Sequence, residues 1–144
     1  VPLLAQQLEA AGFKVTQDVR EYNQIESEAL AGKFDAVLVS RSTVLDSGDA
    51  VAYMTADFSS SGSYSMSGLH DEKVDAAISK AAATQPGDER HKAIMAAEQA
   101  ILASGAAIPL AHERVIQGEA SGVTGAQRDP GERALITSAT TVKK

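Results

Sequence analysis

The stretch Phe34-Asp35-Ala36-Val37-Leu38-Val39 governs the reading of the fold. It is nearly continuous apolar sequence without turn residues, the pattern of a central strand covered on both faces. Just upstream, Asn23 followed three residues later by Glu26 fits a capping box, and Ile25, Ala29 and Leu30 form an apolar stripe that Gly32 closes. A helix is predicted there. Further upstream, Phe13, Val15 and Val19 alternate with Lys14, Thr16 and Asp18, which predicts a half-buried strand over residues 13–19. Before it, Leu4, Leu8 and Ala11 recur at helical spacing and Gly12 supplies a helix stop. The order helix, strand, helix, strand with short connections implies a right-handed crossover between parallel strands, an α/β unit.

Downstream of the apolar stretch, periodicity disappears between Ser40 and His70. Residues 59–68 are polar and punctuated by Gly62 and Gly68, and the region is interrupted by the short apolar run Val51-Ala52-Tyr53-Met54. A connection that long is rarely idle in a compact domain, and it starts where a parallel strand ends, the place where open α/β sheets bind ligands. Asp71 then caps a predicted helix with stripe Val74, Ala77, Ile78 and Ala81, and Asp88 precedes a longer one with Ile94, Ala97, Ile101 and Leu102 inward. Residues 107–111 and 114–116 read as short strands or edge segments because Pro109 cannot donate to a central ladder. After Gly118 the chain reads as loop to Arg133, followed by a strand over residues 134–137; residues 118–144 are the less defined C-terminal extension, and no internal repeat stands out.

Composition narrows the function. At 144 residues the chain is one ordinary domain, long enough to bury roughly two-thirds of its unfolded surface. With no Trp, three Phe and three Tyr, its core must be built from Ala, Val, Leu and Ile. A net charge of −6 argues against nucleic acid or an anionic membrane as partner, since both need a concentrated basic face. The absence of cysteine removes disulfides, thiolate metal ligands and a Cys nucleophile together. The opening Val1 to Glu9 has neither a basic start nor a long apolar run, so the expectation is a piece of something longer whose export signal lies upstream.

No phosphate loop, nucleophile elbow, paired metal-binding histidines or EF-hand pattern is present, and no cofactor or metal is expected. His70, His91 and His112 are scattered and read as surface residues, and Asp46 with Asp49 in a Ser/Gly-rich context reads as turn chemistry rather than a catalytic pair. The loop serines have no basic partner in sequence reach to activate one. Arg41, directly after the apolar stretch, is placed to grip a carboxylate or phosphate bidentately, with a solvated or ion-paired surface Arg as the even alternative. Tyr64 and Met66 either line an adaptable apolar pocket or pin the loop to the core.

Four segments in order carry a resemblance. Residues 4–15, LAQQLEAAGFKV, resemble the opening of the last lobe in family 5 extracellular solute-binding proteins, the oligopeptide, dipeptide and nickel binders. Residues 32–38, GKFDAVL, look like that family's following strand; residues 71–78, DEKVDAAI, are similar to a helix start; and residues 90–110 match its helix ending in an Ile-Pro-Leu segment. The resemblance covers about residues 3–116 and implies a periplasmic-binding-protein-like lobe of type II, the C-terminal one: α/β, with a small mixed sheet and helices on both faces. It further implies a ligand enclosed against an N-terminal lobe of the same parent chain, delivery to an ABC permease, and an extracytoplasmic address, in the periplasm or lipid-anchored on the outer face of the membrane. In the dipeptide binders an acidic residue after that strand holds the ligand's α-amino group, and Asp46 is the nearest match. The family's Gly-Trp pair is Ser40-Arg41 here, its Asp-Pro is Asp49-Ala50, and its Asn-Tyr is echoed by Ser63-Tyr64, departures that point to a different, acidic ligand.

The expected function is therefore capture of peptides or a related small solute for import, without catalysis, through Arg41, Ser42, Asp46, Tyr64 and Met66. A stand-alone α/β protein-interaction domain is the alternative, and a serine hydrolase the third reading. One wall of a cleft should bind solute weakly by itself, and uncovered apolar surface, including the edge at residues 134–142, should promote self-association.

Overall fold

Helices form where an apolar stripe lies between a start and a stop signal. The computed structural model, which describes residues 1–41, 48–112, 116–127 and 136–143, has five among those residues. They are α1 (Pro2–Ala10), α2 (Tyr22–Leu30), α3 (Ala50–Phe58), α4 (Glu72–Ala83) and α5 (Asp88–Ala103). The described sheet is a two-stranded antiparallel ribbon, β1 (Val123–Thr124) on β2 (Thr141–Val142), with Val123 opposite Val142. The coarse class is thus a helix-rich chain with a small sheet.

α1 and α2 end alike. In each, an Ala at the C-cap is followed by a glycine with positive φ, Gly12 at 95° and Gly32 at 68°, a region that glycine enters without steric cost. The next amide closes a Schellman turn: Phe13 N–H donates to the Leu8 carbonyl and Lys33 N–H to that of Glu28, both at 3.0 Å. The capping box expected from Asn23 and Glu26 is corrected. α2 begins at Tyr22 behind an extended Glu21, Gln24 N–H already donates to the Glu21 carbonyl at 2.9 Å, and Asn23 falls inside the first turn. Asp71 does cap α4, its Oδ1 accepting from Lys73 and Val74 N–H at 2.8 and 3.3 Å. Asp88 instead occupies the first turn of α5 behind Gly87, where a carboxylate still favours the helix dipole.

The core lies among α3, α4 and α5. Val74, Ile78 and Ala81 on α4 meet Ala93, Ala97 and Ile101 on α5, with Val51 and Met54 of α3 closing the cluster. Ala81 and Ala97 are fully buried, so the pair approaches closely where the side chains are small. Each Val or Ile removed from water here contributes about 1.5–3 kcal/mol, and residues 84–87 turn the chain between α4 and α5 as an αα-hairpin.

Four expectations fail outside this core. Residues 13–19 and 33–40 form no ladder among the described residues, and Leu38 is 53% exposed, so the parallel strand pair and its crossover are not observed. An apolar run records a tendency to be buried, whereas a strand also needs a neighbour to accept its hydrogen bonds. Residues 107–111 are likewise irregular, Arg114, Val115, Ala134 and Leu135 lie outside the described residues, and the final strand falls at Thr141–Val142 rather than at Ile136 and Thr137. The accessible surface is 11082 Å², against about 7,000 Å² for an ordinary folded monomer of 15.0 kDa. Leu3, Phe13, Val19, Ile108, Ile116 and Ile136 are each more than half exposed, so the expected two-thirds burial is not reached by this chain alone.

Candidate functional site

The region between Ser40 and His70, which sequence periodicity leaves blank, holds α3. Asp49 caps it by accepting from Val51 N–H at 3.0 Å, and Val51, Met54 and Phe58 face the core. That stripe, three and then four residues apart, leaves Tyr53 and Asp57 on another face, one turn from each other. After α3, Ser59 folds back with its hydroxyl on the Thr55 carbonyl at 2.7 Å, Ser60 N–H donates to Asp75 of α4 at 2.8 Å, and Tyr64 N–H returns to the Ala56 carbonyl at 3.0 Å. The fold-back requires Gly62. A Cβ there would stand 2.4 Å from the Ala56 carbonyl oxygen and 2.7 Å from that of Thr55.

These local bonds bring Tyr64 to Arg41. The guanidinium carbon lies 4.9 Å from the Tyr64 ring centre and 5.0 Å from that of Tyr53, within cation–π range of both. Arg41 Nη2 is 2.9 Å from both Asp57 carboxylate oxygens, and Nε donates to the Tyr53 hydroxyl at 3.3 Å. Asp57 is the inner partner, its side chain 12% exposed against 37% for Arg41. Burial opposes the charge of Arg41, but the Tyr53 and Asp57 contacts outweigh it and hold the guanidinium above its usual range. Burial pushes the Asp57 carboxyl upward, against the pull of Arg41. The two shifts favour different forms of the pair, and the 2.9 Å contact to both oxygens is that of an ion pair. Tyr64 also hydrogen-bonds the Tyr22 hydroxyl of α2, and this bond, then burial and Glu26, raise its phenol above the ordinary value.

Of the five residues expected to hold solute, the structure brings Arg41 and Tyr64 together. Met66 is half-buried and takes no part in the cluster's hydrogen bonds, ion pair or ring contacts, while Ser42 and Asp46 lie outside the described residues. Tyr53, Asp57 and Tyr22 were missed. The signal for the first two was present, since an Asp cap and an apolar pattern at 51, 54 and 58 describe a short helix. Arg41 is thus already ion-paired within the chain, so an anionic ligand would have to share it with Asp57.

A second feature is an open depression of about 500 Å³ on α3, lined by Asp49, Thr55, Ser61, Ser63 and Arg90 among others, with no lining residue from the Arg41 cluster. Its cation is neutralised in place: Arg90 donates to Asp49 at 2.8 Å, and this contact, followed by the Val51 amide, holds the Asp49 carboxyl below its usual range. His70, His91 and His112 are exposed. Among the described residues no group of His, Asp and Glu is arranged to hold a metal ion, and no helix is long and apolar enough to cross a membrane. Comparison with protein-family models, with curated proteins and with solved structures finds no match to the chain.

Proposed function

We propose that the chain is a ligand-binding lobe, of the periplasmic-binding-protein type, from an extracytoplasmic solute-binding protein that captures peptides or a related small solute for an ABC permease and performs no catalysis. The observation that carries the reading is the meeting of Arg41 and Tyr64, far apart in sequence, with the guanidinium 4.9 Å from the ring at a solvent-facing position. A cation and two aromatic rings, with Asp57 beside them, offer contacts for the charged ends and apolar body of a short peptide. The uncovered apolar residues agree with a surface that a second lobe closes over.

Calorimetry with short peptides, acidic ones included, tests the proposal. The chain alone should bind weakly, because one wall cannot desolvate a ligand, and the two-lobed parent should bind far more tightly. Micromolar binding by the chain alone would count against the half-cleft reading. Unchanged peptide affinity in a two-lobed Arg41→Ala variant would remove this site from it.

A further inference from the structure

Arg41 is held the way a bound cation would be held. Its guanidinium carbon lies 4.9 Å from the Tyr64 ring centre and 5.0 Å from that of Tyr53, Nη2 reaches both oxygens of Asp57 at 2.9 Å, and Nε donates to the Tyr53 hydroxyl at 3.3 Å. Two aromatic rings with a carboxylate beside them make a cage of the kind that receives a weakly hydrated cation. We infer that Tyr53, Asp57 and Tyr64 form a guanidinium-binding cage, that Arg41 fills it as an internal plug, and that the external ligand is a guanidinium cation. The cage rests on this geometry alone. Its use for the arginine side chain of a captured peptide rests on the proposed function.

The walls are fixed by bonds that bypass Arg41. Tyr53 and Asp57 stand one turn apart on α3, the Tyr53 hydroxyl hydrogen-bonds the Asp57 carboxylate, and the Tyr53 ring meets Phe58 edge-on with 6.2 Å between centres. Phe58 in turn packs against the core cluster. Tyr64 is held at its amide by the Ala56 carbonyl and at its hydroxyl by Tyr22 and Glu26 of α2. The plug comes from the irregular segment after α2, and its side chain is the more exposed member of the ion pair. Exchanging one guanidinium for another conserves the ion pair and both ring contacts, so a ligand has only to outcompete a side chain tethered beside the site. An ammonium would keep the charge but lose the planar fork that reaches Asp57 and Tyr53 together. An anion would gain Arg41 only by leaving the inner carboxylate of Asp57 without its partner.

Calorimetry and tyrosine ring resonances of the complete chain test the cage with N-ethylguanidinium chloride, whose cation replaces the atoms that Arg41→Ala removes. Arg41→Ala should bind it at least about tenfold more tightly than the unaltered chain, whose own guanidinium competes, with the largest ring shifts at Tyr53 and Tyr64. Adding Asp57→Asn should weaken that binding about ten- to a hundredfold, the worth of a charged hydrogen-bonded contact. Ethylammonium chloride should bind more weakly than the guanidinium salt. If Arg41→Ala loses its fold, N-ethylguanidinium should restore its circular dichroism and melting transition where ethylammonium does not. Equal binding by Arg41→Ala and the unaltered chain, no difference between the two salts, no effect of Asp57→Asn, or neither binding nor restoration would each overturn the inference. Titrating the two-lobed parent with an arginine-containing dipeptide separates the two claims: cage binding in Arg41→Ala without capture of the dipeptide would leave the cage standing and remove its use in the proposed function.

Discussion

Replacing Gly62 by alanine puts the shape of the site directly at risk. The new Cβ would lie 2.4 Å from the Ala56 carbonyl oxygen and 2.7 Å from that of Thr55, both backbone atoms at the end of α3 that cannot swing aside. Bringing the nearer approach out to 3.0 Å needs a displacement of about 0.6 Å, while the Tyr64 amide holds that same Ala56 carbonyl at 3.0 Å. Overpacking of this kind costs about 1–3 kcal/mol, and losing the Tyr64 backbone bond adds about 1 kcal/mol. A total of about 2–4 kcal/mol lowers the melting temperature by roughly 5–15 °C in a domain of this size. Circular dichroism melts measure it, with Gly118→Ala as the control, since a Cβ at Gly118 meets nothing within 4 Å and the change there should be neutral or slightly stabilising. In the Gly62 variant the Tyr64 ring should also leave Arg41, visible as a shift of its ring resonances. A melt matching the parent within about 1 °C, with Tyr64 resonances unmoved, would refute the account of how the fold-back builds the cluster.

Three further outcomes are expected. Asp71→Ala removes the acceptor for the Lys73 and Val74 amides and should cost about 1 kcal/mol, read as a lower urea midpoint at unchanged slope. Ile78→Ala, at a core position 3% exposed, should cost about 2–5 kcal/mol in the same measurement, well beyond the cap. Acid should weaken the fold through Asp75: the Ser60 hydroxyl and amide hold its carboxyl below the usual value of 3.8, so its contribution is present above that value and is lost as pH falls through the folded one. Melting temperature against pH should therefore fall less steeply in Asp75→Asn than in the parent; identical slopes would exclude this carboxylate as a contributor.

How much could be read before folding varied with the range of the interactions involved. The helix stops at Gly12 and Gly32 and the cap at Asp71 were legible, because each is completed by atoms within about five residues. α3 was legible too and was passed over, its Asp49 cap and apolar triad hidden by the serine- and glycine-rich neighbourhood of residues 59–68. Arg41 and Tyr64 stood out as isolated chemistry, but nothing in the sequence announced that Asp57 would occupy the guanidinium before any ligand did.

By itself, then, the sequence determined where four of the five helices lie among the described residues, where most of them stop, and that Val74, Ile78, Ala81, Ala97 and Ile101 face inward; Ala93 was missed, and Leu102, expected inward, is 39% exposed. Tertiary structure alone decided that, among the described residues, residues 34–39 find no ladder and α1 and α2 pack on no other helix or strand, and that Arg41 rests against Tyr53, Asp57 and Tyr64. The division follows from the reach of the bonds. A helix closes its hydrogen bonds within the segment that encodes it, whereas a strand and a binding surface are made of groups whose partners the local sequence cannot specify.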